Sequence, residues 1–419
     1  MTYAVVVDPL STGADYPAEF ARAGVEVVAV LSRPEPIALY AATWRPADFR
    51  HIHVWDGGEP EKLAAQLRPY EPVCLIAGSE TGVELAEALC ELVVPGTGHV
   101  PELAAARRDK WAMARAVAAA GIPHLRQLCT ADPGEVSAWL AGTGTDRVVL
   151  KPPKSAATDD VHLVRPGEDW RPVFEAILGK VNEFGIRNDA VLVQEYAEGT
   201  EYLIDSYSVG GEHGLVDVCR YSKQRRGDRI GVYDLVDFLP PDAPEIAELW
   251  PYARRVLDAV GVRNGCCHTE VILTAAGPRF VEVGARPAGG GHQMITKLAT
   301  GTNQIERTVA HRVHGRFEPS YELVRHVCSV VLSAPHAGVW RNAEIFDEVD
   351  ALPTFHVKHF YYGTGEEVPA PAGLSTMLGW VVLAAGADPA GHDAMQADYR
   401  RIRELERAVR VSTEAGVPA

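Results

Sequence analysis

The stretch from His268 to Gly291, HTEVILTAAGPRFVEVGARPAGGG, leaves little freedom in how it folds. Val271 to Leu273 and Phe280 to Val283 are short apolar runs, and Ala276, Gly277 and Pro278 between them carry turn chemistry, so the spacing predicts a β-hairpin. That hairpin brings Glu270 and Glu282 to neighbouring strands facing one cleft, and hard oxygen ligands of this kind suit Mg²⁺ that is also held by nucleotide phosphates. Arg286 follows Glu282 by four residues and precedes a glycine run, which offers a fixed cation for a phosphate. Each of these charges alone is a solvated strand end. Carboxylates, cation and backbone donors together in one short segment point to phosphoryl chemistry.

Upstream, Asp146 to Lys154 reads as an apolar strand that delivers Lys151 into a Pro-marked turn, and Arg107-Arg108-Asp109-Lys110 opens an Ala-rich helix. A second apolar strand, Ala190 to Gln194, explains its own hydrophobic residues but not the acidic cluster Glu195, Glu198 and Glu201 that follows. In this order the elements resemble the ATP-grasp superfamily, through His268-x-Glu270, a hairpin, and Glu282-Val-Gly-Ala-Arg286-x-x-Gly289-Gly290. The resemblance implies that Lys110 and Lys151 contact the phosphates of ATP, with Lys154 and Ser155 beside them. It places Gln194, Glu195, Tyr196 and Ala197 around the adenine, gives Glu198 the ribose hydroxyls, and leaves Glu201 a supporting place at the strand start. Glu270 and Glu282 become ligands for one or two Mg²⁺ ions, and Arg286 and Lys151 the catalytic cations. Two positions depart from the family. The flap, Ser155 to Asp160, has no glycine, although small hydroxyl residues can still donate to phosphate oxygens; Gly284 stands where many members carry an asparagine that helps hold a second metal.

The resemblance also sets the architecture: an ATP-grasp fold of mixed α/β and α+β class. The expected layout is an N-terminal parallel α/β preATP-grasp domain over 1–100, a linking Ala-rich helix over 101–123, a small ATP-grasp lobe over 124–197, a large lobe with the metal site over 198–325, and a C-terminal subdomain over 326–419. Strand candidates in the first domain are Tyr3 to Val7, Val25 to Leu31, His51 to Trp55 and Val73 to Ile76, alternating with helical stretches. The last hundred residues suggest strands at His326 to Leu332 and Leu378 to Ala384, a charged helix near Asp398 to Val409, and a frayed tail from Ser412.

Two turns lie at the carboxyl ends of strands, where open α/β sheets bind ligands. Pro9 to Gly13 reads as a helix cap. In the turn Ala77 to Gly82, Glu80 reads as a solvated helix-start carboxylate and, because the first domain borders the substrate site in resembling enzymes, as a substrate-binding candidate. Cys219 to Arg229 holds five basic residues in an otherwise acidic chain and reads as a solvated loop; in resembling ligases the loop crosses the acceptor site, which makes Lys223 and Arg226 candidates for a substrate carboxylate or the transferred phosphate. His268, Gly289, Gly290 and His292 complete the substrate-binding set, since helix-start amides beside Arg286 favour an anion.

A chain of 419 residues, 47% hydrophobic and 23% charged, has material for two or three domains. Its net charge of −16 argues against nucleic-acid and anionic-membrane partners. No segment reads as a membrane span, and the start Met1 to Asp8 runs into a strand without a basic leader, so the expected location is the cytoplasm, with the seven scattered cysteines reduced.

These parts imply transfer of the γ-phosphoryl group of ATP to a small carboxylic or amino acid, followed by attack of an amine, giving an amide or dipeptide with ADP and phosphate. Within the superfamily the resemblance is greatest to the L-amino-acid ligases, for which a homodimer is open. The alternatives are a carboxylase or purine-type ligase with another acceptor, and a nucleotide-binding protein without catalysis.

Overall fold

The computed structural model describes residues 1–156, 158–226, 229–371, 373 and 376–413, with the backbone alone at 224–226 and 229–231. Its first unit is a parallel sheet of β1 (Thr2–Val7), β2 (Val25–Leu31), β3 (His51–Val54) and β4 (Leu75–Ala77) in the order β3-β2-β1-β4. The uninterrupted apolar run of β1 suits a strand covered on both faces. Val5 and Val7 pack with α3 (Pro60–Leu67) and α4 (Val83–Val93), while Ala4 and Val6 pack with α1 (Tyr16–Arg22) and the distant α10 (Gln304–His314). A one-turn α2 (Ala38–Ala41) follows β2.

The single helix expected over 101–123 is divided. Pro101–Arg107 is a 3-10 segment, Arg108 leaves helical geometry at φ −137°, and α5 runs only over Lys110–Ala119. Asp109 restarts the helix by accepting the Trp111 and Ala112 amides, which overrides the helix propensity of the alanine run. Lys110 thereby becomes the first residue of α5, and Arg108 turns into the interior, where it is 3% exposed.

An antiparallel sheet follows, of β5 (Gln127–Thr130), β6 (Val148–Lys151), β7 (His162–Val164) and β8 (Val191–Glu195), ordered β5-β8-β6-β7. Strand alternation divides its faces. Val148, Leu150, Val191 and Val193 pack against α6 (Pro133–Thr143) and α7 (Arg171–Ile177), and Val149, Lys151 and Gln194 face a cleft.

The remaining chain builds one eight-stranded sheet, ordered β13-β12-β9-β10-β11-β14-β18-β16. Its strands are β9 (Gly199–Val209), β10 (Glu212–Arg226), β11 (Arg229–Phe238), β12 (Gly265–Thr274), β13 (Gly277–Gly284), β14 (Arg325–Leu332), β16 (Phe355–Phe360) and β18 (Gly379–Gly386). The basic stretch read from sequence as a loop is instead, over its described residues 219–226 and 229, part of a ladder between β10 and β11, in which Cys219 pairs with Phe238 and Lys223 with Tyr233. On one face Tyr202, Ile204, Val218 and Cys267 pack against α8 (Ile246–Ala259). On the other, Leu203, Cys219, Phe238, Val327 and Val382 are covered by Ile295 and Ala299 of α9 (His292–Thr300). With nine residues α9 covers only part of that face, and the rest is the floor of the cleft.

Behind β14 and β18 lie α11 (Pro389–Arg407) and a small sheet of β15 (Gly338–Trp340), β17 (Glu367–Val368) and β19 (Val411–Ser412). The helix expected near Asp398 begins earlier because Asp388 caps it at the Gly391 amide. Ser412, expected to fray, pairs with Val339, and the rest of the expected frayed tail, 414–419, lies outside the described residues. All seven cysteines are free thiols, and among the described residues no helix is long and apolar enough to cross a membrane.

Candidate active site

The small-lobe sheet, the floor of the large sheet and the N-terminal unit enclose one cavity of about 1320 Å³. Glu270 on β12 and Glu282 on β13 are cross-strand partners and both line it. Lys110 at the start of α5 places its Nζ 2.8 Å from Glu282, and it also donates to the carbonyl of Ser155. Lys151 at the end of β6 is buried and donates to Gln194 at 3.2 Å. The charges act on one another strongly. Burial, then Glu282 and Glu201, push the Glu270 carboxyl up to about 8. Burial also acts to raise Glu282, but Lys110 and Lys151 outweigh it and hold that carboxyl at about 2. Burial and the neighbouring Lys110 charge bring Lys151 down to about 8. Of two facing carboxylates, one is neutralised by lysine and the other keeps a proton, which is the state expected of a divalent-cation pair before the ion is added. The donor set therefore fits Mg²⁺.

At the hinge between the lobes, Gln194, Glu195, Tyr196, Ala197, Gly199, Thr200 and Glu201 all line the cavity. The Glu195 carboxylate is occupied in bracing the hinge, accepting from the Arg126 amide at 2.8 Å and its Nε at 2.7 Å. Glu198, expected at the ribose, is turned away: its side chain is 75% exposed and pairs with Arg147 at 3.2 Å. Glu198 lies just before β9 begins at Gly199, and its carboxylate is held there by Arg147. Glu201, paired with Lys223, faces the cleft. Lys154 also leaves the site, reaching outward to Glu84 at 2.8 Å, whereas Ser155 stays in the lining.

The glycine-poor flap is tied in place by side chains rather than by backbone freedom. Thr158 and Asp160 adopt left-handed φ of 63° and 50°. Asn182 donates to the Lys154 carbonyl at 2.8 Å, the Glu183 amide to Asp159 at 3.3 Å, and Lys180 to Asp160 at 2.6 Å. Phe184 anchors that supporting loop against Tyr40 and the Arg108 guanidinium.

At the other end of the cavity Arg286 donates from Nε to Glu80 at 2.9 Å, and Arg108 lies 3.3 Å from the other Glu80 oxygen. Glu80 is thus not a solvated helix start. It is 6% exposed, and its pKa, which burial alone would raise, is lowered by the two guanidiniums. Gly289 and Gly290 line the site ahead of α9, with Gly290 and Gly291 in left-handed conformation at φ 65° and 78°, which presents backbone amides without a Cβ. His268 pairs through Nδ1 with Asp205 at 2.8 Å and sets Nε2 3.8 Å from Glu270. His292 borders the cavity, but its Nε2 is directed to the buried Asp217 at 3.3 Å and its ring stacks on Phe238, so it pins α9 to the sheet. Thr296, one turn on, donates to the same aspartate at 3.0 Å. Lys223 lies in the cleft 4.9 Å from the Tyr233 ring; the Arg226 side chain lies outside the described residues.

Sequence reasoning overlooked Asp205 and Asp217, both fully buried on facing positions of β9 and β10, as well as Arg108 and Tyr40. Acids inside apolar strand runs, as in Leu203-Ile204-Asp205 and Val216-Asp217-Val218, were the available signal.

Residues 145–295 match the family described as the ATP-grasp domain. Over 363 residues the chain is 30% identical to dapdiamide A synthase of Enterobacter agglomerans, covering 84% of each protein. The fold superposes on the L-amino acid ligase from Bacillus licheniformis with a TM-score of 0.72 at 15% identity, over 99% of both chains. It also superposes on N5-carboxyaminoimidazole ribonucleotide synthetase from Thermotoga maritima with a TM-score of 0.64 at 17% identity, over 99% of this chain and 100% of that one. With this sequence kinship and this architecture, the chain belongs to the ATP-grasp family of carboxylate–amine ligases.

Proposed function

We propose that this ADP-forming carbon–nitrogen ligase activates a small carboxylic or amino acid and joins it to an amino acid or amine, giving a dipeptide or related amide. The observation that carries the reading is the convergence of Glu270, Glu282, Lys110, Lys151 and Arg286 on one cavity, in a chain 30% identical to dapdiamide A synthase. Glu270 and Glu282 would hold Mg²⁺, which when bound supplies positive charge at the phosphates. Lys151 and Lys110 neutralise the phosphoryl group in flight, and the hinge around Tyr196 orients the nucleotide.

In the first step a carboxylate oxygen of the donor attacks the γ-phosphorus, the bond to the ADP oxygen breaks, and an acyl phosphate forms. In the second the amine nitrogen attacks the carbonyl carbon, phosphate leaves with the bonding pair, and the nitrogen loses its proton. Arg286, held by Glu80 beside the Gly289–Gly291 amides, is suited to the acyl phosphate and to the oxyanion of that second step. No covalent enzyme intermediate is required.

The test is mass spectrometry of products after incubation with Mg²⁺, ATP and pooled amino acids, with ADP and AMP measured in the same samples. Masses of two amino acids less water, matched by ADP, are expected. ATP turnover to AMP would overturn the acyl-phosphate route, and bound but unconsumed ATP across all pools would overturn the enzymatic reading.

A further inference from the structure

Beneath α9, on the covered face of the large sheet, four side chains that can ligate a metal meet apart from Glu270 and Glu282. Asp205 on β9 and Asp217 on β10 are cross-strand partners, Cys219 follows Asp217 by two residues on the same face, and His292 opens α9. All four are buried, both aspartates completely. Among the described residues neither aspartate pairs with a lysine or arginine, and buried carboxylates are costly unless a cation offsets them. The donor atoms stand at coordination distances from one another. His292 Nε2 lies 3.3 Å from Asp217 Oδ1 and 3.7 Å from Asp205 Oδ2, and Cys219 Sγ lies 3.6 Å from Asp217 Oδ1. The nitrogen, the sulfur and a carboxylate oxygen of Asp217 all fall within 4.8 Å of one another. Around a tetrahedral Zn²⁺ with bonds of about 2.0–2.3 Å, neighbouring ligand atoms are about 3.3–3.6 Å apart. Each aspartate also divides its two oxygens. Thr296 donates to Asp217 Oδ2 at 3.0 Å and His268 Nδ1 lies 2.8 Å from Asp205 Oδ1, while the buried Asp205 Oδ2 has no hydrogen-bond partner. An outer hydrogen bond on one oxygen, with the other turned inward, is how ligating carboxylates are oriented. Phe238 stacks on the His292 ring and fixes its plane.

We propose that Asp205, Asp217, Cys219 and His292 form a site for a four-coordinate transition ion of the Zn²⁺ class, separate from the carboxylate pair in the cleft. Thiolate and imidazole beside carboxylates select a softer ion than the oxygen pair of Glu270 and Glu282. Binding ionises the Cys219 thiol, whose proton passes to solvent, and replaces the His292–Asp217 hydrogen bond by bonds to the ion. His292 borders the large cavity, which gives the ion a way in. Four protein ligands leave no open position, so the role is structural. With three ligands on β9 and β10 and the fourth on the first turn of α9, the ion ties the sheet to the glycine turn 289–291 beside Arg286. The site stands or falls independently of the ligase reading.

The experiment titrates the nucleotide-free protein with Co²⁺ in excess Mg²⁺, which competes for the cleft carboxylates but not for a thiolate. One equivalent should bind, with the intense visible bands of a four-coordinate ion and a near-ultraviolet thiolate-to-cobalt band. Cys219→Ser should abolish the thiolate band, and Cys328→Ser, at a buried free thiol on β14, should leave it unchanged. Absence of the thiolate band, or its survival in Cys219→Ser, would overturn the site and leave a hydrogen-bonded network only. If Cys219→Ser does not fold, X-ray absorption at the zinc edge of the wild-type protein loaded with Zn²⁺ decides. A sulfur neighbour beside nitrogen and oxygen is expected, and nitrogen and oxygen neighbours alone would overturn the proposal.

Discussion

Binding of Mg²⁺ to the nucleotide-free protein should expel a proton and should tighten steeply with pH. The proton sits on Glu270, which burial, Glu282 and Glu201 raise to about 8, while Glu282 is already ionised, held near 2. The sign follows from linkage: a carboxyl raised on folding binds a proton that the unfolded chain has lost, so the metal-free protein loses stability as pH rises from about 4.5 to about 8. A cation needs the ionised form and must displace that proton. With a pKa of about 8, roughly 1% of Glu270 is ionised at pH 6 and half at pH 8, so affinity should rise about 50-fold between them, or ~2.3 kcal/mol. Lys151, also brought to about 8, loses its charge in the same window and adds in the same direction. Calorimetric titration with Mg²⁺ or Mn²⁺ in two buffers of different ionisation heat would give both affinity and proton count. Equal affinity at pH 6 and 8, with no proton released, would refute the reasoning and mean that Glu270 is ionised without the metal.

Three substitutions address other parts of the site. Glu201→Ala should raise the KM for ATP about tenfold or more while Glu198→Ala leaves it within twofold, as measured by initial rates of ADP release; the reverse order would restore Glu198 to the ribose. Glu80→Gln removes the carboxylate that pairs with both the Arg286 and the Arg108 guanidiniums and should cost about 3–5 kcal/mol in thermal or denaturant unfolding, with kcat falling more than ATP affinity. Asp217→Ala removes the partner of both His292 and Thr296 and should destabilise by a similar ~3–5 kcal/mol, whereas Asp217→Asn, which keeps an acceptor, should recover part of the loss.

The placement of charged groups in the cleft was legible wherever it is written in one local string. Glu270, Glu282 and Arg286 follow from the hairpin and its turn, and Lys151 from the end of an apolar strand. What sequence alone did not reveal depends on phase or on distant partners. Glu198 and Glu201 stand three residues apart at the hinge, and no composition rule says which of them turns into the cleft. Glu80 looks like any solvated carboxylate until Arg286, 206 residues away, folds onto it. Asp109 divides the alanine-rich helix because one cap outweighs propensity there, and the basic residues of 219–226 sit in a ladder because β11 supplies them with partners. His292 was recognised as a helix start, but its partner, Asp217, belongs to another strand.

One hydrogen-bonded sheet joins Glu270 and Glu282 on β12 and β13 to Trp380 on β18. Such a sheet resists bending between its ends, so the two carboxylates at one edge and the aromatic side chains near the other keep a fixed spacing. Side chains on the far strands can therefore change while the separation of Glu270 and Glu282, set by the pairing of β12 with β13, stays as it is.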